Sequence, residues 1–172
     1  MTQNKQKTVR VLGIDPGTAT VGWAIIEENA GVLHPLAFGH ISTDKHDSEE
    51  SRLSEISDDI SAIIEKYHPT EAAVEQLFFF KNKKTIISVG QSRGGILLTL
   101  EQKGVKISSY TPLQVKQSVT GYGKAEKKQV QLMVQNILKL KAIPKPDDTA
   151  DALALAICHI NSRRISKLIS NS

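Results

Sequence analysis

The chain carries a single cysteine, Cys158, so no disulfide framework is available to it and a reducing compartment is expected. Cys158 lies in an alanine- and leucine-rich stretch, which reads it as a small core residue. No apolar run approaches the ~18 residues of a membrane span. Met1 to Lys7 is polar and lacks the apolar centre of a secretory signal, so the expected location is the cytoplasm, away from any membrane. No internal repeat, low-complexity tract or linker divides the sequence. His34, His40, His46, His68 and His159 are scattered without ligand spacing, and surface or turn roles suffice for them. A Walker phosphate loop is absent too: around Gly121-Tyr122-Gly123-Lys124, Ser118 stands where the first glycine belongs and Ala125 where a Ser or Thr hydroxyl is needed.

What is present is enough for one domain over residues 1–172, since 172 residues at 40% hydrophobic content support one full core and not two. Lys and Arg number 22 against 18 acids, a net charge of +4. Acids drawn into a cation site would leave the remaining surface more basic still, which suits a polyanionic partner.

Val9 to Ile14, Val21 to Glu27 and Leu33 to Ile41 read as strands, joined by short Gly- and Asn-containing connections that suit antiparallel pairing. From Asp47 the period changes. Leu53, Ile56, Ile60, Ile63 and Ile64 fall at helical spacing, and His68-Pro69 ends that helix. A strand over Glu71 to Glu75, a helix over Lys84 to Lys103, a strand over Val105 to Tyr110 and a short helix near Leu113 to Val119 follow. Further helices are expected over Ala125 to Leu140 and Asp147 to Ile160, with the ends, 1–7 and 166–172, disordered. The pattern predicts an α/β fold with a five-stranded mixed sheet and helices on both faces.

Four acids occupy telling places. Asp15 ends an apolar strand at a Pro-Gly turn, Glu75 ends Ala72-Ala73-Val74, and Asp148 and Asp151 open an alanine-leucine helix. An acid at the carboxyl end of a central strand faces the crevice where open sheets bind ligands, and Gly17 leaves room for a phosphate. Acids capping buried elements are costly unless a cation meets them, and Mg²⁺ takes oxygen ligands that it shares with phosphates. A divalent-metal site for phosphodiester chemistry follows. Taken singly, each acid has an ordinary explanation: a turn for Asp15, a helix start for the pair. Asp147 reads as the helix cap, yet Asp147 and Asp151 also share a helix face, so spacing leaves the choice between Asp147 and Asp148 open.

Six segments in order, Gly13-Ile14-Asp15-Pro16-Gly17, Val74-Glu75-Gln76-Leu77-Phe78, Val89-Gly90-Gln91-Ser92-Arg93-Gly94, Gln114-Val115-Lys116-Gln117, Gly123-Lys124-Ala125-Glu126-Lys127-Lys128-Gln129-Val130 and Asp148-Thr149-Ala150-Asp151-Ala152-Leu153-Ala154, resemble the successive blocks of the RuvC family of crossover junction endodeoxyribonucleases. The likeness runs from about Val9 to Ile160. It implies a ribonuclease H-like fold, a homodimer and Mg²⁺-dependent resolution of Holliday junctions by two symmetric nicks. Two ions per site are implied, with Mn²⁺ as a substitute, and the RuvA-RuvB branch-migration complex as a further partner. The family's catalytic acids fall on Asp15, Glu75, Asp148 and Asp151, which favours Asp148 over Asp147. Its basic active-site positions fall on Lys116 and Lys127, and its junction-contacting aromatic on Phe78. Where some relatives carry a basic side chain after the first turn, this chain has Thr18-Ala19-Thr20.

Lysines beside aromatics suit nucleic acid, so Phe78, Lys81, Lys83 and Lys84 are expected to meet DNA, while Phe79 or Phe80 finishes the core. Lys124 and Lys128 flank the basic positions as general phosphate contacts. Ile87, Gly90, Gly94 and Leu98 share one helix face, a candidate for close contact with the sheet or with a second subunit. Two other functions compete. An actin-like ATPase shares the acid-glycine turn but needs two such domains to close over a nucleotide, and this chain has length for one. A non-catalytic junction-binding module would have no use for four acids facing phosphates.

Overall fold

A computed structural model describes residues 8–77 and 83–170. Strands β1 (Val9–Asp15), β2 (Thr20–Asn29) and β3 (Val32–Ser42) form an antiparallel meander. Helix α1 (Glu49–Tyr67) returns the chain so that β4 (Glu71–Glu75) pairs parallel to β1. Helix α2 (Lys83–Gln102) does the same for β5 (Lys106–Tyr110), giving the sheet order β3-β2-β1-β4-β5. Helices α3 (Pro112–Thr120), α4 (Lys127–Ile137) and α5 (Asp147–Ser170) follow.

The strands nearest the centre alternate their side chains between two cores. Leu12, Ile14 and Ile25 face α1 and α2, where Ile56, Ile60, Ile96 and Leu100 close over them. Val11, Ala24 and Ile26 face α5, which buries Ala152 to Ile160 with α3 and α4 packed against it. Helices thus cover both faces of a five-stranded mixed sheet, as the alternation predicts. Cys158 is a buried free thiol in the α5 core. Among the described residues no helix is long and apolar enough to cross a membrane.

Several boundaries differ from expectation for local reasons. Ser48 caps α1 by accepting from the Ser51 N–H, and His68 leaves the helix through the left-handed region (φ 51°) rather than an extended one. Helix α4 starts later than its apolar pattern suggests because Glu126 and Gln129 form a capping box, and Lys139 at φ 52° marks where the chain has turned away. Ser166 to Ser170, expected to be disordered, continue α5, with the Ser166 and Ser170 hydroxyls donating one turn back to the carbonyls of Ser162 and Ser166. The ends 1–7 and 171–172 lie outside the described residues. Among the described residues no helix packs against the Gly90/Gly94 face. A Cβ at Gly90 would meet only Leu77 at 3.6 Å, one at Gly94 would meet nothing within 4 Å, and Ile87 and Leu98 are exposed.

Candidate active site

Parallel pairing sets the first two acids side by side. Ile14 of β1 is in register with Val74 of β4, so Asp15 and Glu75, one residue further on, leave the sheet together at its carboxyl edge. The second pair arrives on α5, whose backbone lies directly on the sheet. A Cβ at Gly22, the residue opposite Asp15 in β2, would stand 1.9 Å from the Asp148 carbonyl oxygen. One at Gly13 would stand 2.0 Å from the Ala152 carbonyl oxygen. Glycine on the strands and alanine on the helix therefore permit an approach that any larger residue would push apart. The Thr149 hydroxyl donates to the Gly39 carbonyl at 3.1 Å and ties the start of the helix to β3.

Two residues of α2 fix the acid-bearing backbones, and sequence reasoning passes over their role. The fully buried Ser92 hydroxyl donates to the Gly17 carbonyl at 2.6 Å, holding the turn after Asp15. Arg93 Nε donates to the Glu75 carbonyl at 2.9 Å, while its Nη2 donates to Ser109 Oγ at 2.8 Å, joining the ends of β4 and β5. The only hint was their place in the block Val89 to Gly94; nothing local says which carbonyls they reach.

The electrostatics are those of crowded acids. Burial, then the fields of Glu75, Asp151 and Asp148, push the Asp15 carboxyl up to about 9, and it hydrogen-bonds Glu75. Burial also raises Glu75, against the hydrogen bond from Asp15, and the field of Asp151 raises it further. Asp151 is raised by burial despite Lys127, whose ammonium stands 3.0 Å away. Burial alone would lower Lys127, but its bonds to Asp151 and Asp147 prevail and hold it above its ordinary value. Among the described residues no three His, Cys, Asp or Glu side chains are closed up at metal-ligand spacing. The donor set nonetheless fits a hard divalent cation: Asp15, Glu75 and Asp151 are all raised by burial and by neighbouring acids, with Lys127 as the cation that opposes the shift at Glu75 and Asp151.

Lys116 and Lys127 line a pocket of about 180 Å³ together with Glu75 and Asp151, over an apolar floor of Val115, Val130 and Leu155. The structure therefore gathers both predicted lysines at the acids. Lys124 and Lys128 are exposed, before and within the first turn of α4, and neither lines that pocket. Phe78 and Lys81 lie outside the described residues, as do Phe79 and Phe80. Lys83 and Lys84 open α2, but the DNA contacts expected of their side chains also lie outside what is described. Asp147 does not act as a simple cap. It is the first residue of α5, and its carboxylate turns to Gln131 Nε2 at 3.0 Å and Lys127 Nζ at 3.4 Å. His159 departs further from expectation. It is buried, with Nε2 donating to Glu71 at 2.6 Å and Nδ1 accepting from the Tyr110 hydroxyl at 2.8 Å.

The sheet order and its helical layers are those of the ribonuclease H-like fold, shared with solved nucleases. The family model described as Crossover junction endodeoxyribonuclease RuvC matches residues 11–159, and the chain belongs to that family of metal-dependent nucleases of DNA recombination and repair. It is 51% identical over 164 residues to a protein of that name from Syntrophomonas wolfei, covering 95% of each chain. A relative from Fusobacterium nucleatum is 55% identical over 154 residues, covering 90% of this chain and 81% of its own. The Thermus thermophilus RuvC solved in complex with a Holliday junction substrate superposes with a TM-score of 0.87 at 33% identity, covering 92% of this chain and 96% of that one.

Proposed function

We propose that the chain, as a single nuclease domain acting in a homodimer, resolves four-way DNA junctions by paired symmetric nicks that leave 5′-phosphate and 3′-hydroxyl ends. The observation that carries this reading is the convergence of four acids: strand register sets Asp15 beside Glu75, α5 lies on the sheet with Asp148 and Asp151, and burial together with the other three acids raises the Asp15 carboxyl. Such a carboxyl is stabilised in its ionised form by added positive charge, beyond the Lys127 that already meets Asp151. The Thermus complex with a junction supports four-way DNA as the substrate.

In this reading Asp15, Glu75, Asp148 and Asp151 would hold two Mg²⁺ ions, for which Mn²⁺ would substitute. The chemistry supplied by such ions would be a more acidic water for in-line attack on phosphorus and stabilisation of charge on the departing 3′ oxygen. The chain itself does the rest. Ser92 and Arg93 keep the Asp15 and Glu75 backbones from drifting, so the carboxylates meet their ligand already oriented. Lys116 and Lys127 offer ammonium groups to the scissile phosphate at the pocket mouth. Lys81, Lys83, Lys84, Lys124 and Lys128 extend the contact along the DNA backbone, and Phe78 is the aromatic proposed to stack on or wedge between bases at the junction. One site cuts one strand, so paired nicks need a two-fold partner, and the open face of α2 around Ile87, Gly94 and Leu98 is the surface proposed for it. RuvA-RuvB is the proposed branch-migration partner, in the cytoplasm.

The test pairs binding with cutting on one synthetic four-way junction, beside a linear duplex. Asp15→Asn, Glu75→Gln, Asp148→Asn and Asp151→Asn are each expected to lose cleavage by at least about a hundredfold, the scale of removing one charge-stabilising group. Junction affinity should hold or rise, because each change removes a negative charge facing phosphate. Near-normal cutting by Asp15→Asn would refute the site.

A further inference from the structure

Asp147 lies just outside the four acids, yet it touches the same lysine as one of them. Lys127 Nζ stands 3.0 Å from Asp151 and 3.4 Å from Asp147, shared between an acid of the site and an acid at its rim. The rim is the wetter place: the Asp147 side chain is 62% exposed against 29% for Asp151. Gln131, one turn after Lys127 on the same face of α4, donates to the other oxygen of Asp147 at 3.0 Å. The amide thus keeps the carboxylate turned toward the lysine. Nothing in α4 or α5 has to move for Lys127 to leave Asp151 and remain paired.

That arrangement matters if Asp151 is a cation ligand, the reading on which this inference rests. An ammonium and a divalent cation then compete for one carboxylate, and the half-exposed Lys127, displaced without a second partner, would have only solvent to hold it. We propose that Asp147 is a positioning residue that takes over Lys127 when a divalent cation claims Asp151. It eases entry of the cation and keeps the ammonium at the rim, on the side open to an incoming phosphate. The role belongs to Asp147 through Lys127, and not to Asp147 as a ligand.

The experiment is a double-mutant cycle on the full chain, with Mn²⁺ as the probe and binding read from the loss of the free-ion signal in electron paramagnetic resonance. Asp147→Asn preserves shape and can still meet Gln131, but removes the charge that holds the lysine. It should weaken Mn²⁺ binding about two- to fivefold, the range of an exposed ion pair. In a Lys127→Met background the same substitution should change Mn²⁺ affinity little, because no ammonium remains to be moved. Junction cutting across a Mn²⁺ titration should follow in the chain that keeps Lys127, with the half-saturating concentration rising in Asp147→Asn; variants lacking Lys127 are read by Mn²⁺ binding alone. An equal shift in both backgrounds would show that Asp147 acts on the cation by its own charge, and no shift in either would show that it does nothing; either result overturns the proposal. A failure of the underlying site looks different: Asp151→Asn would then bind Mn²⁺ as well as the unaltered chain, and the proposal would fall with the site.

Discussion

Strand β4 has a glutamate at each end, and the two live in opposite electrostatic worlds. Glu71 accepts from Arg163 Nε at 2.8 Å and His159 Nε2 at 2.6 Å. Its surroundings repeat the pattern: Glu28 meets Arg164 at 2.7 Å and Arg163 at 3.7 Å, and Glu27 meets Arg10 at 2.7 Å. Four residues along the strand, Glu75 faces Asp15 and Asp151, with Lys127 as the cation that acts on it. Both ends bury acids, but the Glu71 end meets them with arginines and a histidine, while at the Glu75 end Lys127 stands against several crowded acids. Acids that the chain neutralises itself are structural; acids it leaves crowded await something it does not encode, which separates a site from a scaffold better than the presence of carboxylates does.

Acid-to-amide substitutions should therefore have opposite signs at the two ends. Glu71→Gln removes the charge that Arg163 and His159 are arranged around and should cost about 3 kcal/mol, the lower end for breaking a buried pair. Asp15→Asn should instead stabilise the cation-free protein. The unfolded carboxyl loses its proton near its ordinary value of about 3.9, while the folded one keeps it to about 9. Stability contributed by that retained proton is complete below the lower value and is lost as pH rises through the upper. Asparagine has no such dependence, so its advantage in melting temperature, measured in chelator, should grow from pH 5 to pH 8. Equal melting temperatures for Asp15→Asn and the unaltered chain across that range would remove the contrast.

Helix α5 joins the two ends, with Asp148 and Asp151 in its first turns and His159 and Arg163 further along. Gly13 lies beneath it, where an added Cβ would meet backbone at Ala152 and Ala156 rather than a side chain that can yield. Gly13→Ala should then cost about 1–3 kcal/mol, as overpacking does. It should also reduce cutting per folded molecule, because the helix that lifts off carries two of the four acids. A variant that melts like the unaltered chain would show that α5 is not held as closely as drawn.

Much of this was legible in the residues. The apolar runs of Val9 to Ile14 and Val21 to Glu27, the isoleucine spacing of α1 and the alanines of α5 all mark their elements, because each reflects burial within a regular structure. The acids were legible as a set, and the resemblance favoured Asp148. What escaped was long-range and polar. His159 finds Glu71 at a separation of 88 residues and Tyr110 at 49, so no local spacing marks it as anything but a stray histidine. Ser92 reaches a backbone carbonyl 75 residues away, and a carbonyl partner leaves no trace in side-chain identity. The end of α5 escaped because Ile165, Leu168 and Ile169 are exposed and no buried stripe announces the helix.

The smallest expected effect sharpens the comparison at its balanced end, through the buried His159, whose proton affinity the fold lowers. Burial lowers His159, with Arg163 and Lys106 adding to the effect, and Glu71 opposes them without prevailing. Neutral imidazole suits the geometry, since Nδ1 must stay unprotonated to accept from Tyr110 while Nε2 donates to Glu71. A histidine depressed in the fold titrates first in the unfolded chain, near its ordinary value of about 6.5. Its contribution to stability is complete above that value and declines as pH falls through the folded one. The loss can reach about 1.4 kcal/mol per pH unit within that window for a single group. Melting temperature followed from pH 7.5 to 5 should fall more steeply for the unaltered chain than for His159→Gln, which cannot titrate and can still bridge Tyr110 and Glu71. Glu71 faces the imidazole and is retained in both proteins, so the difference between the two slopes reports the ring. Parallel slopes would mean that His159 keeps its ordinary proton affinity in the fold, and that the balanced end owes its order to the arginines alone.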